Sequence, residues 1–311
     1  MKKTLAFFAA GMIPAMLFAV PFTLVPNAPW KKTADDAASI DYKGNKIWKA
    51  VGIKPTEPLK AKTLYRITFE AKSTASPTPV ICVFKSVIHG KKLELVSNFY
   101  PTTEFRKYTV YFYSGETPGK NNPYIYFNPS EPFQLEIKNI RLNEMTDDLL
   151  YGKNLLAWGD FEEDNTFYPS DIKDIDRIKV VDSANFMSGE KSLLLDCPGG
   201  KTVTVISRLI PAIPGKEIEV KFYAKSDELA KIQVTLNWWM RGSKHLYRTF
   251  QFKTEKDWKE YSLKYKVPED VENYPSLLRC LMTTLSISGQ PLAKDGNAKI
   301  YFDDIRCMIK K

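Results

Sequence analysis

Two stretches of the chain 153 residues apart share one residue pattern, and a repeat of that period fixes how many units the chain must fold into. Leu64-Tyr-Arg-Ile-Thr-Phe-Glu-Ala-Lys-Ser73 matches Glu217-Ile-Glu-Val-Lys-Phe-Tyr-Ala-Lys-Ser226. The same offset carries Leu93 to Leu246, Phe99 to Phe252, Phe105 to Trp258 and Tyr108 to Tyr261 without a gap. Near the ends, Ile137-Lys-Asn-Ile-Arg141 resembles Phe302-Asp-Asp-Ile-Arg306 at an offset of 165, which implies about 12 extra residues in the second copy. Acids and glycine separate the two patterns between Met145 and Lys153, so the domains are expected at 20–148 and 149–311. Each is long enough to bury a core of its own.

Within the copies, hydrophobicity alternates with period two. Ile218, Val220, Phe222 and Ala224 fall on one side; Ile232, Val234, Leu236 and Trp238 do the same, followed by the turn signal Arg241-Gly-Ser243. That alternation belongs to half-buried strands. No long amphipathic helix pattern is present, and 20 Pro with 34 Phe plus Tyr (18 + 16) favour strands and turns. The fold class is therefore all-β: two tandem antiparallel β-sandwiches.

The formal charge of +9 is dispersed. Lys2 and Lys3 supply +2, residues 20–148 carry 18 − 13 = +5, and residues 149–311 carry 25 − 23 = +2. Basic residues stand singly among acids, without the stripe that a nucleic-acid surface shows, so no nucleic-acid partner is expected. At the N-terminus, Lys2-Lys3 precede an apolar run from Leu5 to Val20 that Pro14 interrupts. This reads as an export signal over residues 1–19 cut near Ala19, or as an uncleaved anchor. Export places the chain in a secreted, periplasmic or cell-surface setting, with no membrane span after cleavage. There Cys197 and Cys307, each ending a strand-like run, are a candidate disulfide; four buried free thiols are the alternative. No CxxC occurs, which argues against redox and zinc sites.

Residues 154–309 carry Asn154-Leu-Leu-Ala-Trp-Gly-Asp-Phe-Glu162, then Ser188-Gly-Glu-Lys-Ser-Leu193, Pro214-Gly-Lys-Glu-Ile-Glu-Val-Lys-Phe-Tyr-Ala-Lys-Ser226, Trp258-Lys-Glu-Tyr261 and Ile300-Tyr-Phe-Asp-Asp-Ile305. In this order they resemble secreted carbohydrate-binding modules of the xylan- and glucan-binding type, families four, nine and twenty-two, with a galactose-binding-like jelly-roll fold. Residues 28–144 look like a degenerate member that lacks the Gly-Asp-Phe-Glu opening. The resemblance implies a non-catalytic jelly roll that binds polysaccharide or glycan, with a glycoside hydrolase as partner. It also implies a structural calcium ion tying the first strand to the last. The matching positions are Asp160, Glu162, the backbone from Gly189 to Lys191, and Asp304; solvated carboxylates beside Lys191 are the alternative. In a regular strand Asp303 would point away from Asp304, so only Asp304 is expected to face the ion.

A candidate ligand face follows from the alternation. Gln233, Thr235, Asn237 and Trp239 share one side of a strand, and His245, Tyr247, Thr249 and Gln251 share one side of the returning run. A flat indole and a phenol among amides and hydroxyls suit a sugar, whose C–H faces stack on rings while its hydroxyls hydrogen-bond. Alternatively Trp239 packs under a loop. Arg248 falls among the apolar positions of the returning run. Subtracting 153 sets Ser86, Glu94 and Lys92 where Trp239, Tyr247 and His245 stand, so the first copy lacks both rings. Glycoside hydrolysis needs two carboxylates roughly 5–10 Å apart, and neither proposed face strand contains one. Asp171, Asp174 and Asp176 form a loop-like cluster better read as solvated charge, and no GxSxG, HExxH or phosphate-binding glycine loop occurs. The resulting expectation is a secreted, non-catalytic carbohydrate-binding protein. A structural or protein-contact spacer at the cell surface is the second reading, and a glycoside-active enzyme the third.

Overall fold

The computed structural model describes residues 18–43, 50–61, 63–74, 80–88, 91–114, 125–129, 133–146, 149–156, 159–162, 167–181, 186–213, 215–238, 246–267 and 282–311. The proposed export segment before Phe18 and Cys280 lie outside them. The described residues form four antiparallel sheets, paired as two β-sandwiches.

In the first sandwich, one sheet runs in the order β3 (Lys31–Ala34), β4 (Ala37–Tyr42), β11 (Phe133–Glu144), β6 (Leu64–Ser73), β9 (Arg106–Tyr113), with β1 (Phe18–Ala19) added to β11. Its partner runs β2 (Phe22–Pro26), β5 (Val51–Pro55), β10 (Ile125–Pro129), β7 (Val80–Ile88), β8 (Lys91–Phe99). The second sandwich repeats this plan. One sheet runs β13 (Ile178–Val181), β14 (Ser192–Cys197), β22 (Ala298–Ile309), β17 (Glu217–Ser226), β20 (Lys259–Lys266). The other runs β12 (Phe167–Pro169), β15 (Val203–Ser207), β21 (Met282–Pro291), β18 (Ala230–Trp238), β19 (Leu246–Lys253), with β16 (Ile210–Pro211) added to β21. In both, the chain moves between the two sheets in the same sequence, which is a jelly-roll plan.

Alternation explains the layering. In β17, Ile218, Val220, Phe222 and Ala224 are buried, and in β18 Ile232, Val234 and Leu236 have no exposed surface. Phe222 sits at the centre, stacked on Tyr261 (5.4 Å) and edge-on to Phe252 (5.7 Å). In the first copy Phe69 stacks on Tyr108 (5.5 Å) and meets Phe99 edge-on (4.9 Å). The repeated positions are thus core positions, where each buried aromatic contributes about 2–3 kcal/mol of transfer free energy. Arg248 is opposite Leu236 on the core side, but β19 is the sheet edge and the side chain is exposed.

Registers refine the offset. Ser86 pairs with Leu93 and Trp238 with Leu246, so β7 and β18 differ by 152 while β8 and β19 differ by 153. Ser86 therefore corresponds to Trp238 and not to Trp239; Glu94 still corresponds to Tyr247. Both last strands carry the same irregularity. Pairing shifts between Lys138 and Arg141 in β11 and opposite Lys221–Tyr223 in β22, with Asn139 at φ 53° and Asp304 at φ 47°. A left-handed residue at a bulge is strained for any side chain but Gly, and Asn and Asp tolerate it best.

The sandwiches touch through a defined seam. Leu64 and Tyr111 of the first pack against the core of the second, and Leu209 of the second packs against the core of the first. Arg208 is 7 % exposed with its guanidinium 4.7 Å above the Tyr108 ring, and Tyr100 meets Tyr168 at 5.7 Å between ring centroids.

The expected Cys197–Cys307 disulfide is absent. Both strands adjoin, yet Cys197 pairs with Ala298 while Cys307 lies nine residues further along β22, opposite Val220. Nine residues of strand span about 30 Å, far beyond disulfide reach. Cys82, Cys197 and Cys307 are buried free thiols, and burial pushes Cys197 and Cys307 each up to about 12. All three should resist a thiol reagent in the native protein and react on unfolding, and reductant should leave the melting temperature unchanged. A reductant-induced loss of stability would contradict the assignment.

Candidate functional site

The phrases that carry the resemblance build a clasp at one end of the second sandwich. Asn154 Oδ1 accepts the backbone N–H groups of Leu156 (3.2 Å) and Cys307 (2.9 Å). Gly159 accepts from the Ile305 N–H at 2.8 Å, and a Cβ there would stand 1.9 Å from the Ile305 carbonyl oxygen, so only glycine fits. Phe161 adopts φ 63° and buries its ring, 6.3 Å from Phe167. Glu162 Oε1 accepts from Glu190 N (2.8 Å) and Lys191 N (2.9 Å), across a turn where Gly189 has φ 65° and no room for a side chain. Asp303, with no exposed surface, accepts the N–H groups of Met187 and Ser188 (both 2.8 Å) and of Asp304 (2.6 Å).

This geometry corrects the expected ligand set. The bulge turns Asp303, not Asp304, under the 186–190 turn, whereas Asp304 pairs with Arg306 at 2.6–2.7 Å. Asp160 is exposed, and the Lys191 ammonium donates to the Glu162 carbonyl oxygen at 2.9 Å. Among the described residues no three His, Cys, Asp or Glu side chains group to hold a metal ion. A calcium ion needs six to eight oxygens. Here Asp303 and Glu162 accept N–H groups, Asp304 pairs with Arg306, and the Lys191 ammonium stands within the clasp. Chelator and added calcium should both leave the melting temperature of the chain unchanged; a chelator-induced drop would show that the clasp rearranges around an ion.

Burial, the largest cause, raises the Asp303 carboxyl above its ordinary 3.8, against the lowering effect of the three N–H bonds. A carboxyl raised by folding favours the folded state when protonated, so stability falls as pH climbs from the unfolded value through the folded one. Asp303→Asn should lack that part of the pH dependence. Asp303→Ala should cost about 3 kcal/mol, because the N–H groups of residues 187, 188 and 304 lose their acceptor. Urea melts of the three proteins between about pH 4 and 8 test this.

The proposed ligand residues lie on the opposite sheet. Registers place Gln233, Thr235 and Asn237 of β18 beside Gln251, Thr249 and Tyr247 of β19 on its outer face. Thr235 and Thr249 share a hydroxyl hydrogen bond of 3.1 Å, and Tyr247 is 63 % exposed. Asn237 is buried, its Nδ2 3.5 Å from the Thr235 carbonyl oxygen. Trp239 and His245 lie outside the described residues. Three further strands extend the face, which the sequence reading missed. Thr284, Ser286 and Ser288 of β21 oppose Asn237, Thr235 and Gln233. Thr204 of β15 bonds the Ser288 hydroxyl at 2.8 Å, and Tyr168 of β12 closes the sheet. The polar–apolar alternation of residues 284–290 was a usable signal; which strands adjoin it is a matter of topology. Burial pushes the Tyr168 phenol up to about 12, with Tyr100 adding to the rise and Arg208 opposing it.

The outward side chains of these five strands include no carboxylate. Asp171, of the acidic cluster, instead caps a 3-10 turn by accepting from Lys173 N (3.0 Å), and Asp174 pairs with Arg177 (3.4 Å). A separate groove of about 670 Å³ lies on the outer face of β4 and β11 in the first sandwich. It opens where the second sandwich has its 186–190 turn. Its one ring, Phe105, is already covered by the ammonium groups of Lys138 (3.8 Å) and Lys72 (4.7 Å), which leaves poor access for stacking.

No family model matches the sequence, and no curated protein matches it either. Solved structures similar to the chain include carbohydrate-binding modules. The N-terminal CBM22-1–CBM22-2 tandem domain of Paenibacillus barcinonensis Xyn10C is 12 % identical over 94 % of this chain and 98 % of its own, with a TM-score of 0.38. TmCBM61 in complex with β-1,4-galactotriose is 16 % identical over 50 % of this chain and 99 % of its own (TM-score 0.36). A family 4 module is 17 % identical over the same shares (TM-score 0.35). No helix among the described residues is long and apolar enough to cross a membrane.

Proposed function

We propose that the chain is a secreted, non-catalytic protein of two jelly-roll units that binds polysaccharide or glycan on the outer face of β12, β15, β21, β18 and β19. The observation that carries this reading is the chemistry of that face. Hydroxyls of Thr204, Thr235, Thr249, Ser286 and Ser288 and amides of Gln233 and Gln251 share this face with the exposed Tyr247 ring at its β19 edge. Hydroxyls and amides both donate and accept, which matches sugar hydroxyls, and a ring supplies the apolar contact for a pyranose face. A catalytic glycosidase face would carry paired carboxylates, and this one carries none among its described residues. Trp239, next in sequence after β18, is proposed as the second ring, and a glycoside hydrolase as a partner of the chain.

Tyr247→Ala should weaken binding to a retained glycan about tenfold, the loss of about 1.4 kcal/mol of stacking, with little change in melting temperature. Glycan-array selection followed by calorimetry on the wild type and variant checks this. Equal affinities would remove the face from consideration. A wild type that retains no glycan would favour the spacer reading.

A further inference from the structure

The ligand face of the second sandwich does not end at its own edge. Tyr168, Ile206, Ser286, Thr235 and Thr249 are consecutive register partners across β12, β15, β21, β18 and β19, one transverse row on the outer face. Phe167 points into the core, so Tyr168 points outward. Among the described residues β12 is the edge strand of the sheet, and the ring of Tyr100, from the segment joining β8 to β9 of the first sandwich, stands against Tyr168. Its position is fixed from behind. The Tyr108 hydroxyl donates to the Tyr100 carbonyl oxygen at 3.1 Å, and Arg208, nearly buried, lies over the Tyr108 ring.

We propose that the first sandwich completes the glycan site of the second, with Tyr100 as the far wall of a trench running across the five strands. The inference rests on the sugar-binding reading above. Four inter-strand spacings of about 4.8 Å make the row about 19 Å long, room for roughly four pyranose units end to end. A ligand of that length reaches Tyr100; a disaccharide seated at Tyr247 does not. The first copy, which has Glu94 at the Tyr247 position, then serves as a positioned wall for the second copy's site.

The test uses the full chain and measures calorimetric affinity for the disaccharides and hexasaccharides of β-1,4-linked xylose, glucose and galactose. Tyr100→Ala should weaken hexasaccharide binding about five- to tenfold and change disaccharide binding less than twofold. Tyr100→Phe, which keeps the ring, should bind as wild type, and Tyr247→Ala should weaken both lengths. If Tyr247→Ala weakens binding while Tyr100→Ala leaves the hexasaccharide unaffected, the shared wall is wrong and the sugar face stands. If Tyr100→Ala weakens both lengths equally, the residue acts on domain packing and the wall is equally wrong. If the wild type binds none of these probes, both the face and the wall fall.

Discussion

The second sandwich depends on one buried carboxylate. Asp303 sits at a bulge in the last strand and accepts three backbone N–H groups, two of them from a turn that precedes β14 by only a few residues. A charge without exposure is costly unless hydrogen-bonded, and here the two bonds from Met187 and Ser188 also tie chain segments more than a hundred residues apart. Glu162 and Asn154 repeat the device on neighbouring backbone, so the opening segment is closed onto the last strand by side chains acting as caps. The first sandwich keeps the bulge but not the carboxylate. Lys138 stands at the Asp303 position and reaches toward Glu70 at 3.6 Å, while Asn139 bonds the same Glu70 at 3.0 Å. With no turn held down there, the outer face of β4 and β11 stays open as a groove.

This arrangement separates the clasp from the proposed ligand face. The clasp, with its glycines and buried acid, occupies one sheet; the hydroxyl- and amide-rich face occupies the other. A jelly roll permits this because alternation commits only one side of each strand to the core. On β18, Ile232, Val234 and Leu236 anchor the strand while Gln233 and Thr235 remain partly exposed. Substitutions on the outer face can then change the ligand at little cost to folding, as expected where one scaffold hosts many specificities. The residues that make this chain resemble a sugar-binding family are scaffold residues, and they carry little information about any ligand.

The seam between the sandwiches adds a constraint that neither copy contains. Arg208 is stacked on Tyr108 in a nearly dry contact, and Leu64, Tyr111 and Leu209 exchange sides to fill it. A cation held over an aromatic face away from water is worth more than at an exposed site. The seam also sets Tyr100 at the open edge of β12, where a sheet would otherwise present unpaired backbone.

By itself the sequence determined the strand-rich class, the two copies and their cores. Period-two alternation and the 153-residue offset are local and additive signals, and Phe69, Phe222, Tyr108 and Tyr261 were readable from them. It also placed Gln233, Thr235, Thr249, Gln251 and Tyr247 on one side of their strands, since alternation needs no knowledge of neighbours. Only the tertiary structure decided the rest. A bulge reverses the alternation of a single residue, so Asp303 and not Asp304 is turned under the 186–190 turn, where it accepts backbone N–H groups. One residue of slippage between β7 and β18 moved the equivalent of Ser86 from Trp239 to Trp238. Cys197 and Cys307 end similar-looking runs, but an antiparallel register sets them at opposite ends of β22. The extension of the hydroxyl-rich face over β12, β15 and β21, and the placement of Tyr100 beside it, depend on which strands become neighbours. That is fixed by the long-range closure of the two sheets, which no local pattern encodes.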